Sequence, residues 1–220
     1  HGLCEFPPAV VYGQIYQQQR GVHFVEAIAR LMGWELKRLG FNLDFAPVLD
    51  VNSNPRNPVI GDRAFASDPQ VVIKTAIPFY RGLLSEGIIP CGKHFPGHGD
   101  TQSDSHLELP EVGRSRSELY HTELVPFREA IRQGIPTLMT AHVVYRALDP
   151  DHPATLSKKI MTDLLRHELG FRGVLFSDDL FMKALAQHSL EESLALALEA
   201  GNDLFLLCRD FETRYEVVDS

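Results

Sequence analysis

Cysteine is scarce in this chain, and long hydrophobic runs are missing altogether. Cys4, Cys91 and Cys208 are the three cysteines among 220 residues, and their wide spacing matches neither a disulfide framework nor a metal site. No apolar run approaches the roughly 20 residues needed to cross a bilayer. These absences argue against a disulfide-stabilised secreted domain and against a membrane span, and the cysteine usage favours a reducing cytoplasm.

An excess of positive charge is also missing. The chain has 21 Lys and Arg residues against 29 Asp and Glu residues, which gives a net charge of -8 at pH 7. Nucleic acids and anionic membrane surfaces attract positively charged proteins, so neither is an expected partner. The opening residues HGLCEFPPAV lack the basic start and apolar stretch of a signal peptide. With 44% hydrophobic and 23% charged residues, the composition is that of a globular domain.

Apolar, strand-like segments alternate with amphipathic helical segments along the chain. The candidate helices are 22–40, 68–87, 115–134, 157–170 and 189–201, and the candidate strands are 41–51, 88–94, 135–144, 173–179 and 202–209. Continuous apolar strands between helices are typical of a parallel sheet covered on both faces. The order predicts an α/β fold, either a (β/α)8 TIM-type barrel or an open doubly wound sheet. In both, chemistry sits at the carboxyl ends of the strands.

The number of candidate strands bears on the extent of the domain. A complete barrel has eight strands and typically takes about 250 residues, whereas only five candidate strands are found here. If the fold is a barrel, this chain lacks its first strands. We therefore expect residues 1–220 to be a single (β/α) barrel catalytic domain, truncated at both ends.

Every candidate strand ends in a charged or titratable residue. These strand ends are Asp50, Lys93-His94, His142, Asp178-Asp179 and Arg209. Asp178 directly follows an apolar run, and because neighbouring side chains alternate along a strand, only one of the two aspartates can face the site. Asp178 is the better candidate for a nucleophile or general base. Polar loops alone could produce the same pattern, with a solvated Lys93 and a satisfied core His94.

The loop GKHFPGHGDTQSDSHLELP, residues 92–110, concentrates titratable side chains between glycines. Asp104 and His106 are two residues apart, so their side chains can meet in an irregular loop. A carboxylate bound to one ring nitrogen fixes the tautomer and raises the basicity of the other nitrogen, which makes an acid/base pair suited to neutral pH. Gly97 and Gly99 permit positive φ and a sharp bend. The alternative is a local hydrogen bond that merely ties down the loop.

A metal-dependent hydrolase on a (β/α) barrel is a second interpretation of the same loop. Its candidate ligands are His94, His98, Asp100, Asp104 and His106. The His-x-x-x-His spacing suits a metal if it is helical, but Pro96 and the two glycines disfavour a helix. No Glu follows the first His, so the H-E-x-x-H pattern is absent.

Three long segments together resemble the family 3 glycoside hydrolases, and within them the bacterial β-N-acetylhexosaminidases of peptidoglycan recycling. The segments are DFAPVLDVNSNPRNPVIGDRAFASDP (44–69), KHFPGHGDTQSDSHLELP (93–110) and GFRGVLFSDDLFMKAL (170–185). The resemblance extends over about residues 24 to 208. It implies a (β/α)8 barrel, retaining hydrolysis of terminal β-linked N-acetylglucosamine, and neither a metal nor an organic cofactor.

The resemblance also implies a role for each candidate site residue. Asp178 is the implied nucleophile, His106 the acid/base with Asp104 as its partner, and Arg63, Lys93 and His94 the residues that hold the sugar. Most retaining glycosidases use two carboxylates. A histidine with a pKa near ~6.5 can also donate and then accept a proton at neutral pH. The expected partner is a small carbohydrate, either an N-acetylglucosaminyl muropeptide or a chitooligosaccharide. Phosphorolysis and a catalytically silent sugar-binding fragment remain open.

Overall fold

A computed structural model describes residues 2–18, 21, 23–103, 105 and 108–208 of the chain. The helices are α1 (Ala9–Gln17), α2 (His23–Arg38), α3 (Pro69–Ser85), α4 (Arg116–His121), α5 (Leu124–Arg132), a π-helix (Lys159–Glu168) and α6 (Leu190–Ala200). The strands are β1 (Leu43–Asp44), β2 (Ile89–Phe95), β3 (Glu111–Val112), β4 (Thr137–Thr140), β5 (Val144–Tyr145), β6 (Val174–Asp179) and β7 (Leu204–Leu206). Within these ranges, no helix is both long and apolar enough to cross a membrane.

Five parallel strands form the central sheet, in the order β1-β2-β4-β6-β7. Each new strand is added to the same edge of the sheet. A doubly wound sheet reverses its direction of growth at a switch point, whereas a barrel does not. The strand order therefore favours the barrel-type arrangement over the doubly wound one, and it confirms the predicted α/β fold with parallel strands.

The two faces of the sheet bury different side chains. Because alternate residues of a strand face opposite sides, Leu138 and Leu175 join the large core beneath the helices. Met139 and Phe176 lie on the other face, where they form a smaller cluster with Cys91. A sheet that is apolar on both faces exposes polar side chains mainly at the strand ends, so the titratable residues collect there.

Helix boundaries follow the capping residues that the sequence indicates. The Asp68 carboxylate accepts a hydrogen bond from the Gln70 N–H at 2.8 Å, and Pro69 occupies the first turn of α3. A capping box of Ser189 with Glu192 begins α6. These local signals confirm the positions at which both helices were expected to start.

The predicted helix 115–134 is two helices, which corrects the sequence interpretation. Its capping box, Ser115 with Glu118, is present at the start of α4. The helix breaks at Thr122 and resumes at Leu124. The reason is Pro126, whose ring would clash in a continuous helix with the carbonyl of the residue four positions earlier.

Three predicted strands are shorter than expected, and one helix was not predicted. The described part of segment 202–209 contributes only Leu204–Leu206 to β7. Segment 41–51 contributes only β1 and an isolated bridge from Val48 to Lys93, because Pro47 has no N–H to donate to a ladder. Segment 135–144 divides into β4 and β5, and β5 pairs with β3 in a separate two-stranded sheet. Helix α1 escaped prediction because β-branched residues and a glycine weaken its helical signal.

Candidate active site

The carboxyl ends of β2 and β6 and the segment after β1 bring charged side chains together. Lys93 and His94 lie near the end of β2, and Asp178 lies near the end of β6. The charges of His94 and Lys93 both act on the Asp178 carboxylate, while the charge of Arg63 acts on Lys93. Asp50, which ends the segment after β1, binds His94 directly. Five predicted residues from four parts of the sequence thus act on one another at a single edge of the sheet.

Asp50 is the hydrogen-bonding centre of this edge. Its side chain is fully buried, and among the described residues every hydrogen bond to it comes from an N–H group. Oδ1 accepts from the backbone N–H of His94 at 3.1 Å and from that of His98 at 2.7 Å, and Oδ2 lies 2.7 Å from His94 Nδ1. A carboxylate accepts and does not donate, so the proton of this last bond belongs to His94 Nδ1. Asp50 thereby fixes both the tautomer and the orientation of His94.

Electrostatics keeps Asp50 ionised despite its burial. Burial acts to raise the pKa of Asp50, but the charge and hydrogen bond of His94, together with the His98 backbone N–H, outweigh it and lower the pKa below its ordinary value. The carboxylate therefore stays negative at neutral pH. A fixed anion behind His94 is the arrangement that holds a histidine in one tautomer.

Asp178 and Asp179 serve different purposes although they are adjacent. The Asp179 carboxylate accepts hydrogen bonds from the backbone N–H groups of Phe181 and Cys208, at 3.2 and 3.0 Å. It therefore fixes the chain around the end of β6. Asp178 Oδ1 accepts from the Asp179 N–H at 2.9 Å. Burial acts to raise the pKa of Asp178, yet the charge of His94 and this N–H bond outweigh it, so the pKa is lowered and the carboxylate is ionised.

Lys93 acts on the Asp178 carboxylate from the side of β2, and Arg63 acts in turn on Lys93. Burial, and next the charge of Arg63, lower the pKa of Lys93, while the Asp178 charge opposes that shift. Arg63 belongs to a short 3₁₀ turn, Gly61–Arg63, and donates from Nη1 to the Val59 carbonyl at 3.2 Å. Both side chains present N–H groups suited to sugar hydroxyls or to an acyl oxygen.

His142 connects the end of β6 to the segment after β4. Its Nε2 lies 3.1 Å from the Asp179 carbonyl oxygen, which can only accept, so Nε2 carries the proton. Its Nδ1 then accepts from the Thr155 hydroxyl at 2.8 Å. Burial lowers the pKa of His142, which keeps the ring neutral. The residue ties the end of β4 to the end of β6 and is itself fully enclosed.

Several predicted residues fall outside the described part of the chain. Asp104, His106 and Arg209 are among them, so the expected acid/base pair keeps the standing of a prediction. Within the described ranges, no group of three or more His, Cys, Asp or Glu side chains is arranged to hold a metal ion. The metal interpretation drew on Asp104 and His106, so it also stays a prediction.

The two loop glycines, Gly97 and Gly99, are required for different reasons. Gly97 has a positive φ, whereas Gly99 packs closely against a neighbouring backbone segment. Gly97 has φ of 130°, as expected for the sharp bend. Gly99 was expected to use the same freedom, but it is not among the glycines with positive φ. A Cβ on Gly99 would instead lie 1.6 Å from the Val51 carbonyl oxygen. The loop therefore touches the segment around Asp50, and only glycine fits at the point of contact.

We expect the substitution Gly99→Ala to lower the free energy of unfolding by about 3 kcal/mol, because the backbone must move to relieve this overlap. Gly113→Ala is the matched control, since a Cβ there meets nothing within 4 Å. The control should change stability by less than about 0.5 kcal/mol. Urea unfolding of both variants measures the difference. Equal stabilities for the two variants would contradict the close approach at Gly99.

Sequence reasoning missed the residues that hold this loop in place. Asn57, Thr101 and Ser105 are buried and hydrogen-bonded to His98, and Glu123 is buried beneath Gly97. Glu123 accepts from the Ser53 hydroxyl at 2.9 Å. These are common polar residues in a long irregular stretch. Only their burial distinguishes them, and burial in loops leaves no periodic signal.

A parallel, barrel-type α/β domain with ionised carboxylates and cations at the carboxyl ends of its strands belongs to the class of enzymes that place chemistry there. The whole chain, residues 1–220, matches the glycosyl hydrolase family 3 N terminal domain. The chain belongs to glycosyl hydrolase family 3.

Similar proteins carry related names. A protein of Nitrosomonas eutropha named beta-hexosaminidase is 40% identical over 100% of this chain, and this chain spans 63% of that protein. A family 3 beta-N-acetylglucosaminidase structure from Paenibacillus sp. matches all of this chain with a TM-score of 0.92 and 39% identity, over 41% of its own length. The fold is thus that of the family's barrel domain.

A structure with a bound sugar is also similar. NagZ of Neisseria gonorrhoeae in complex with N-trifluoroacetyl-D-glucosamine matches all of this chain with a TM-score of 0.89 and 38% identity, over 62% of its own length. The same protein has been solved in complex with a zinc ion. The chain thus spans about three fifths of the curated relative and of NagZ.

Proposed function

We propose that the protein is a retaining exo-β-N-acetylglucosaminidase. It removes terminal β-linked N-acetylglucosamine through a covalent glycosyl-aspartate. Asp178 is the nucleophile in this proposal, and the Asp104-His106 pair is the acid/base. The observation that carries the proposal is the half-buried, ionised Asp178, held by a backbone N–H at the end of a strand and acted on by the charges of His94 and Lys93.

The chemistry follows from what each group can do. In the first step an Asp178 oxygen forms a bond to the anomeric carbon while the bond from that carbon to the leaving oxygen breaks. The leaving oxygen takes a proton from His106. In the second step His106 removes a proton from water, the water oxygen attacks the anomeric carbon, and the bond to Asp178 breaks. No proton or electron is left over.

The basic side chains around Asp178 can act both on its carboxylate and on the oxygen atoms of the sugar. A rigid strand end keeps the carboxylate at a fixed position, as an attack on carbon requires. Lys93 and His94 stabilise its negative charge before the attack, and with Arg63 they can bond the sugar's oxygen atoms. The likeness to a protein solved with an N-acylated glucosamine supports the choice of sugar.

Release of nitrophenol from p-nitrophenyl N-acetyl-β-D-glucosaminide tests the proposal. We expect turnover near neutral pH that is unchanged by excess EDTA. Loss of turnover in EDTA, restored by zinc, would favour the metal-dependent alternative instead. Sugar binding without turnover would favour a catalytically silent sugar-binding protein.

The natural substrate and compartment belong to the same proposal. We infer peptidoglycan fragments as the substrate and the cytoplasm as the compartment; the sequence resemblance to the β-N-acetylhexosaminidases of peptidoglycan recycling supports the substrate, and the cysteine usage supports the compartment. A chitooligosaccharide offers the same terminal sugar. Comparing kcat/KM on a muropeptide and on chitobiose decides between the two substrates.

Adding phosphate and assaying for the sugar 1-phosphate separates phosphorolysis from hydrolysis.

A further inference from the structure

His98 is a buried histidine that the proposed mechanism does not use. It is 2% exposed, and both of its ring nitrogens have hydroxyl partners. Nδ1 lies 2.9 Å from Thr101 Oγ1, and Nε2 lies 3.0 Å from Ser105 Oγ. The neighbouring groups indicate which nitrogen carries the proton.

Asn57 sets the direction of this hydrogen-bond network. Its Oδ1 accepts from the backbone N–H groups of Val59 and Ile60, at 2.9 and 2.8 Å, so the other end of the amide is the NH₂ group. That group donates to the His98 carbonyl at 2.9 Å and to Thr101 Oγ1 at 3.1 Å. Thr101 is therefore an acceptor toward Asn57.

The Thr101 hydroxyl has a single proton to give. Its oxygen also lies 3.1 Å from the His98 carbonyl oxygen, which can only accept. The Thr101 proton is used in that hydrogen bond, so His98 Nδ1 is the donor to Thr101. These contacts are all satisfied together when the His98 proton is on Nδ1. Nε2 then carries no proton and accepts from the Ser105 hydroxyl.

The surroundings keep His98 neutral. Burial, and next the charge of His94, lower the pKa of His98 to about 4. A neutral ring with one donor and one acceptor nitrogen matches the network, which supplies one acceptor and one donor. This agreement supports the assignment of the His98 proton to Nδ1, which the hydrogen-bond geometry indicates.

Ser105 is held on its other side as well. It is 2% exposed, and its carbonyl oxygen accepts from the Ala184 backbone N–H at 3.3 Å. Ala184 belongs to the 3₁₀ turn Lys183–Leu185, which follows the strand that carries Asp178. Through Ser105, the loop after β2 and the segment after β6 are therefore joined.

We propose that His98 and Ser105 are positioning residues for the acid/base function. His98 Nε2 accepts from the Ser105 hydroxyl and so maintains the contact of Ser105 with Ala184, which we call the Ser105 joint. The inference rests on the proposed function, because Ser105 stands between Asp104 and His106 in the sequence. Consecutive Cα atoms are about 3.8 Å apart, so an anchor on Ser105 acts on both neighbours. Both residues are 2% exposed, so we assign them as positioning residues and not as catalytic ones.

Kinetics of Ser105→Ala in the full chain tests the proposal. We expect kcat to fall about 10- to 100-fold, the range found when a supporting hydrogen bond is removed behind a reacting group. KM should stay within about threefold, because the sugar-holding side chains are untouched. Gln102→Ala, an exposed change in the same loop, is the control and should keep kcat within about twofold. A kcat for Ser105→Ala equal to the control's would overturn the proposal.

A double-mutant cycle separates positioning from general damage. If His98 and Ser105 act through their mutual hydrogen bond, the double variant His98→Gln with Ser105→Ala loses no more kcat than His98→Gln alone. Independent, multiplying losses would show that the two residues do not act together. That result would contradict the proposal that the His98–Ser105 hydrogen bond positions the acid/base pair.

Nitrogen NMR of protein labelled at histidine gives a readout that does not need activity. We expect a neutral His98 with Nδ1 protonated at pH 7, and a shift of its Nε2 resonance in Ser105→Ala. Protonation at Nε2, or an unchanged resonance, would overturn the joint even if the enzyme is active. Absence of glycosidase activity in the wild-type protein, with the expected NMR result, would instead reject the proposed function and leave the joint standing.

Discussion

Replacing Asp178 with glycine is expected to lower kcat on an N-acetylglucosaminide by about 10,000-fold or more, because no other described group can form the ester to the sugar. The side chain lies near the end of β6 and is ionised, and the Asp179 N–H holds one of its oxygens. Removing it deletes the attacking atom and leaves a space beside Lys93 and His94. The measurement is the initial rate of nitrophenol release.

Sodium azide should restore part of the activity of this variant. The anion can enter the space left by the carboxylate and attack the anomeric carbon from the same face. The product is then a glycosyl azide of α configuration, inverted relative to the substrate, because only one displacement occurs. In the wild-type protein, a 5-fluoro glycoside should leave a label on Asp178 that mass spectrometry can place. A label on another residue contradicts the assignment.

Asp179→Asn is the matched control for this experiment. Its carboxylate accepts from two backbone N–H groups, and an amide oxygen can accept from both. We expect a loss of at most about tenfold. If this variant lost as much activity as Asp178→Gly, with azide rescue at neither position, the nucleophile would not be Asp178.

Much of the fold could be predicted because its signals are local. The caps at Asp68, Ser115 and Ser189 each mark the start of a helix, and each is made by side chains within three residues. The length of β1 and the pairing of β5 with β3 depend on distant partners and on Pro47. A pattern of apolar residues carries no information about which strand supplies the hydrogen bonds. The prediction therefore failed for the lengths of the candidate strands 41–51 and 135–144, whereas the ends of β2 and β6 were predicted to within one residue.

The site was predictable to the extent that it lies at strand ends. Lys93, His94 and Asp178 could be assigned because each follows an apolar run, and parallel strands bring their ends together. Asp50 was recognised as a strand-end residue, but its contacts with His94 and His98 depend on the fold. Nothing in the sequence distinguishes a buried anion that binds three N–H groups from a solvated aspartate.

The substitution Asp50→Asn is expected to lower kcat/KM by about 100- to 1,000-fold, although the two side chains have nearly the same shape. Both Asp50 oxygens accept from N–H groups, so the amide NH₂ must face a donor wherever it points. The clash is relieved if His94 moves its proton from Nδ1 to Nε2. The ring then presents the wrong nitrogen to the sugar, as happens when the buried aspartate of a serine protease becomes asparagine.

The same substitution should lower the free energy of unfolding by about 3 kcal/mol at pH 7, because buried N–H groups of His94 and His98 lose their ionised acceptor. Since the pKa of Asp50 in the folded protein is below the ordinary value of 3.8, its stabilisation is present above that pH and is lost as pH falls through the folded pKa. Urea unfolding at pH 7, 5 and 3 should therefore show a difference from the wild type that is constant down to pH 5 and smaller at pH 3. Asp62→Asn, an exposed change nearby, should cost less than about 0.5 kcal/mol throughout. A difference for Asp50→Asn that is as large at pH 3 as at pH 7 would mean that the ionised carboxylate is not what holds His94 and His98 together.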